Sequence, residues 1–77
     1  MNPWQAPRRR LNGYELLAVR FAAQGMTNEA IGRELHISGP GAASLLSRAS
    51  YALRAVNRAS LIDRAWRAGE LTHGGDN

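Results

Sequence analysis

Residues 25–38 read GMTNEAIGRELHIS, and the way this stretch breaks into helix, turn and helix decides the fold. Gly25 suits the left-handed residue that closes a preceding helix. Thr27 is a good N-cap, and Glu29 falls near the positive end of the helix that follows. That helix spans about 28–35 and turns Ala30, Ile31 and Leu35 inward, at spacings of one and four. So short a helix is unstable alone and must pack on its neighbours. His36 and Ile37 form a tight connection to Ser38, which caps a third helix with Pro40 in its first turn, where proline is tolerated.

Working outward, Ala42, Leu46, Ala49 and Leu53 make one inward stripe at spacings of four, three and four. The opposite side carries Ala43, Ser44, Ser47, Arg48, Tyr51 and Arg54. No proline or glycine interrupts residues 42–56, so the third helix is expected to be the longest. Upstream, Asn12 and Glu15 form a capping-box pair for a first helix over about 13–24. Its apolar residues, among them Leu16, Leu17, Val19 and Phe21, occupy more than one face. Downstream, Asn57 marks a break before a fourth helix over about 59–68. That helix presents Leu61, Ile62, Ala65 and Trp66, with Arg64 and Arg67 outward, and Gly69 ends it. The fold class is therefore all-α, four helices with a helix-turn-helix at the centre. Residues 1–10 read as a flexible basic arm, 11–69 as the folded domain and 70–77 as a disordered tail.

A chain of 77 residues has room for one small domain. It has no cysteine, which excludes disulfides and thiolate metal sites. No apolar run approaches the roughly 20 residues that span a bilayer, and Arg8–Arg10 precede no signal-like apolar segment. A cytoplasmic, nucleoid-associated location is the expectation, with no membrane partner and no cofactor. No Ser, His and acid constellation, phosphate loop or metal-ligand spacing occurs, so an enzyme is not expected. His36 reads as structural, and His73 lies in the tail.

The net charge is +4, from arginine alone against six acids. The positive charge is concentrated in two blocks: Arg8, Arg9 and Arg10 in the arm, and Arg48, Arg54 and Arg58 in residues 40–58, which hold no acid. Such blocks either face an anionic partner or are ordinary solvated arginines.

The stretch from Leu11 to Leu61 resembles the LuxR/GerE-type DNA-binding domain. The residues that carry the likeness are Leu11, Glu15, Ala23 and Gly25, then Thr27-Asn28-Glu29-Ala30-Ile31, Leu35-His36-Ile37-Ser38, Ser47-Arg48, Leu53, Asn57-Arg58 and Leu61. The resemblance implies a third helix seated in a major groove about 12 Å wide. It implies base contacts from Ser44, Ser47, Arg48 and Tyr51, of which only Arg48 can make a bidentate contact to guanine. Arg54 and Arg58 would meet phosphates, and Arg8, Arg9 and Arg10 would reach a minor groove or serve as nonspecific charge. It further implies a homodimer through the fourth helix, at Leu61, Ile62, Ala65 and Trp66; the alternative is that Trp66 covers its own core.

The chain departs from the family at the start of the third helix. The usual Thr-Val-Lys is replaced by Gly41, Ala42 and Ala43, with Leu45 two positions on. The lysine contact is lost, which implies modest sequence selectivity or a readout role partly given up. The expected function is a small stand-alone transcriptional regulator binding double-stranded DNA. The alternative is a protein-binding adaptor on the same fold, docking through Leu45, Tyr51, Trp66 or the Leu16–Phe21 face.

Overall fold

Four helices follow one another in the computed structural model, which describes residues 5–71: α1 (Gly13–Ala23), α2 (Asn28–Leu35), α3 (Gly39–Leu53) and α4 (Arg58–Arg67). Each start is fixed by a local cap. The Glu15 N–H donates to Asn12 Oδ1 at 2.8 Å, and the Glu15 carboxylate accepts from the Asn12 N–H at 3.0 Å, closing the capping box. Thr27 and Ser38 accept from the Ala30 and Gly41 N–H groups. Asn57 and Ser60 form a second capping box, which starts α4 one residue before the expected position. Gly25 at φ +87° and Gly69 at φ +77° close α1 and α4 as left-handed residues.

The interior is built around α3, which packs against the other three helices. Ala42, Leu46, Ala49 and Leu53 supply its inward stripe. They meet Ala18, Val19 and Ala22 of α1, Ile31 and Leu35 of α2, and Leu61 and Ala65 of α4. Alanine supplies much of this interior, so backbones approach closely and small volume changes are felt. Gly32 is the tightest point. A Cβ there would lie 2.6 Å from Ile37 O and 2.9 Å from the carbonyl carbon and oxygen of Ser38. The missing side chain lets the turn fold back against α2 and sets the angle at which α3 leaves it.

The third helix is the longest of the four and ends at Leu53. Arg54 takes a left-handed conformation (φ +61°), and the Ala55 N–H returns to Ser50 O at 2.8 Å. Residues 6–10 of the expected flexible arm lie docked on the domain. The Arg8 N–H donates to Ala52 O at 2.6 Å, Arg54 Nε donates to Ala6 O at 3.0 Å, and Arg9 forms a two-pronged pair with Glu15 at 2.7 and 2.8 Å. The cause is the Glu15 carboxylate, which is buried to 1% exposure and needs a cation. Glu70 repeats the device: it is buried, accepts from the Leu11 N–H at 2.8 Å and lies 3.9 Å from Arg10. Glu70 and Leu71 therefore belong to the folded domain, although the sequence places the start of the tail at 70. The rest of the expected arm and tail, 1–4 and 72–77, lies outside the described residues.

The Glu15 pair makes stability depend on pH. The hydrogen bonds from Arg9 hold this carboxyl below its ordinary value of 4.5; burial opposes them, and the Asn12 N–H and the charges of Arg9 and Arg48 reinforce them. A depressed folded pKa contributes stability that is complete above the unfolded value and is lost as pH falls through the folded one. Thermal melts of wild type and Glu15→Gln should therefore differ most near neutrality and converge below pH 4.5. A gap that stays constant into acid would show that the ionised carboxylate contributes nothing.

Candidate nucleic-acid interface

The buried stripe of α3 dictates what its opposite side presents. Ser44, Ser47, Arg48 and Tyr51 stand at i, i+3, i+4 and i+7, and all four are exposed on one face. None of the α3 residues is acidic. Tyr51 is 65% exposed, and the Arg8 guanidinium lies over its ring at 4.3 Å from the centroid. Arg8 therefore extends the cationic face at the C-terminal end of α3.

The remaining arginines expected to bind DNA divide by what already holds them. Arg9 is committed to Glu15, so its place in the anion-binding set is corrected: it neutralises an internal carboxylate. Arg10 reaches Glu70 only at 3.9 Å and its side chain stays exposed. Arg54 is half-buried and fastens the N-terminal segment through Ala6. Arg58 donates to Asn28 Oδ1 at 3.1 Å and to Met26 O, tying the start of α4 to the α1–α2 connection. Its removal should lower stability as well as any affinity for an anion, which makes Arg58→Ala a poor probe of phosphate contact.

Two clefts flank the exposed ridge of α3. One, of about 490 Å³, runs between α3 and the starts of α2 and α4, where Asn28, Ser47, Ser50, Tyr51, Asn57 and Arg58 offer polar groups. The other, of about 290 Å³, lies towards α1 and is lined by Tyr14, Ile37, Gly41, Ser44, Leu45 and Arg48. Neither is lined by a carboxylate. Among the exposed acids, Glu29 sits against the first turn of α3: its Oε2 is 3.5 Å from where a Gly39 Cβ would stand. Asp63 is paired with Arg67 on α4 at 2.8 Å.

Compared with known proteins, the chain matches no family model, no curated protein and no solved structure. Its own surface is therefore the guide to what it can do. Among the described residues no group of His, Cys, Asp and Glu is placed to hold a metal ion, and no helix is long and apolar enough to cross a membrane.

The expected contact on α4 is also redrawn. Leu61 and Ala65 are 1% and 0% exposed and belong to the core of their own chain, so neither is available to a partner. Ile62 packs partly against that core, whereas Trp66 keeps 40% of its surface exposed. The large apolar surface that α4 offers is thus Trp66 with the edge of Ile62.

Sequence reasoning misses Gly32, Tyr14 and the polar groups of Asn28, Ser50 and Asn57. A glycine inside an eight-residue helix is the one visible signal, because alanine there would favour the helix. The others join the site only through tertiary packing.

Proposed function

We propose that this chain is a small DNA-binding transcriptional regulator of the LuxR/GerE type, which lays α3 in the major groove of duplex DNA. The observation that carries the reading is the acid-free, exposed stripe Ser44–Ser47–Arg48–Tyr51, backed by a stripe wholly buried against α1, α2 and α4. A rigid convex helix with a cationic outer face fits the width and charge of that groove. Arg48 is the base reader, the serines assist, and Arg8 with the flanking Arg58 neutralises phosphates. Two copies pair through Trp66 and Ile62, which sets the two reading helices on successive half-sites.

Glu29, beside the first turn of α3, opposes phosphate approach, so Glu29→Gln should raise affinity for duplex DNA severalfold at low salt. Unchanged affinity would place the first turn of α3 away from the backbone.

The adaptor reading keeps one supporting observation, the cleft towards α1 walled by Tyr14, Ile37 and Leu45. The two readings separate in a single nuclear magnetic resonance titration of ¹⁵N-labelled protein with duplex DNA. The DNA reading predicts shifts concentrated at Ser44, Ser47, Arg48 and Tyr51, with smaller ones at the phosphate contacts Arg8 and Arg58. Shifts absent at low salt, or scattered over all exposed arginines alike, contradict it.

A further inference from the structure

The cleft towards α1 has no role in the DNA contacts proposed above, yet it borders the reading face directly. Gly41, Ser44, Leu45 and Arg48 form a second i, i+3, i+4, i+7 stripe on α3, which shares Ser44 and Arg48 with the first. A group seated in the cleft therefore lies beside whatever base edge Arg48 touches. The walls are apolar: Ile37 from the turn, Leu45 one helical turn along α3 and the Tyr14 ring from α1.

The floor has a definite size. A carbon placed as a Cβ on Gly41 would meet Ile37 Cβ at 3.5 Å and Ile37 Cδ1 at 3.6 Å, which is ordinary van der Waals contact, with Ser38 Oγ closer at 3.2 Å. With no side chain on Gly41, the floor beside Ile37 is bare backbone, open to a small apolar group that enters from the groove side. In the major groove the one apolar substituent on a base edge is the C5 methyl of thymine. No carboxylate lines the cleft to repel the neighbouring phosphates.

We infer that the cleft of Ile37, Gly41 and Leu45 receives the C5 methyl of a thymine next to the base read by Arg48. The inference rests on the DNA reading and adds a specificity to it. Selectivity then comes from an apolar contact as well as from the single arginine. The cleft partly replaces the lysine that the start of α3 lacks.

The test uses duplex DNA selected by the wild-type protein from a random pool at low salt. Each thymine of the selected duplex is replaced singly by uracil, which removes the methyl and leaves pairing unchanged. One thymine per half-site should be sensitive, with affinity falling about fourfold on loss of its methyl. Gly41→Ala, which puts a methyl of its own on the floor, should bind the thymine and uracil duplexes alike. A selected duplex that binds with a normal salt dependence while every uracil replacement is neutral overturns the methyl contact and leaves the DNA reading standing. Failure to select any duplex overturns both, and would assign the cleft to an apolar side chain of a protein partner. The uracil scan needs no variant, so it decides even if Gly41→Ala does not fold.

Discussion

Gly32→Ala is expected to bring the chain close to unfolding, a larger loss of stability than removal of the Glu15 ion pair or of any α3 side chain on the outer face. Ordinarily this substitution inside a helix helps by up to about 1 kcal/mol, since glycine is the poorer helix former. In α2 the added carbon would fall 2.6 Å from Ile37 O and 2.9 Å from two backbone atoms of Ser38. Those atoms are main chain and cannot rotate away. Relief would require moving the turn, and with it α3, whose inward stripe fills the core. Overpacking typically costs about 1–3 kcal/mol and occasionally more, and a clash with main-chain atoms falls at the upper end of that range. A domain of this size has roughly 4–11 kcal/mol in all. Urea denaturation should therefore show a midpoint far below that of wild type. A variant as stable as wild type would mean that the turn shifts freely, and that α2 does not fix the direction of α3.

Arg48→Ala carries the largest expected effect on binding. Arg48 is exposed at the centre of the outward stripe, and it is the one α3 side chain there with a planar double donor. Losing a bidentate contact to guanine costs about 1–3 kcal/mol, a rise of roughly 5- to 150-fold in Kd at the selected duplex. Binding to unrelated duplexes should weaken far less, so the ratio of selected to nonspecific affinity should collapse. The charge of Arg48 also helps keep Glu15 ionised, but Arg9 is the main cause, so the fold should survive. Fluorescence anisotropy on both duplexes separates the outcomes. An equal loss on each would make Arg48 a phosphate contact, and no loss on either would move the reading face elsewhere.

The helix starts are legible in the sequence because their causes are local. Asn12 with Glu15, Thr27, Ser38 with Pro40, and Gly25 each act within a few residues, and each stands where its spacing places it. The inward stripe of α3 is legible from its periodicity. The end of α3 is not, because Arg54 is not a residue type that announces a left-handed turn. It is held there in company with Ala6, 48 positions away. The N-terminal segment is misread for the same reason. Arg8–Arg10 look like free charge until Glu15 and Glu70 are known to be buried, and that depends on the segment being docked. On α4, Leu61 and Ala65 fall on the inward face and Trp66 on the outer edge, a division that five apolar residues in ten do not reveal. The stripe Ser44, Ser47, Arg48 and Tyr51 does form one exposed face, as its spacing predicts. The stacking of Arg8 on Tyr51 and the two flanking clefts are products of packing.

An outer face of α3 that sits against a polyanion must release counterions on binding, so its affinity has to follow salt. Affinity for a nonspecific duplex should be measured at several salt concentrations from low ionic strength upward. If Arg8, Arg48 and Arg58 displace about three counterions per protomer, log affinity falls linearly with log salt at a slope between about −2 and −3. Absence of binding even at the lowest salt, or an affinity that does not change with salt, would mean that α3 does not face DNA.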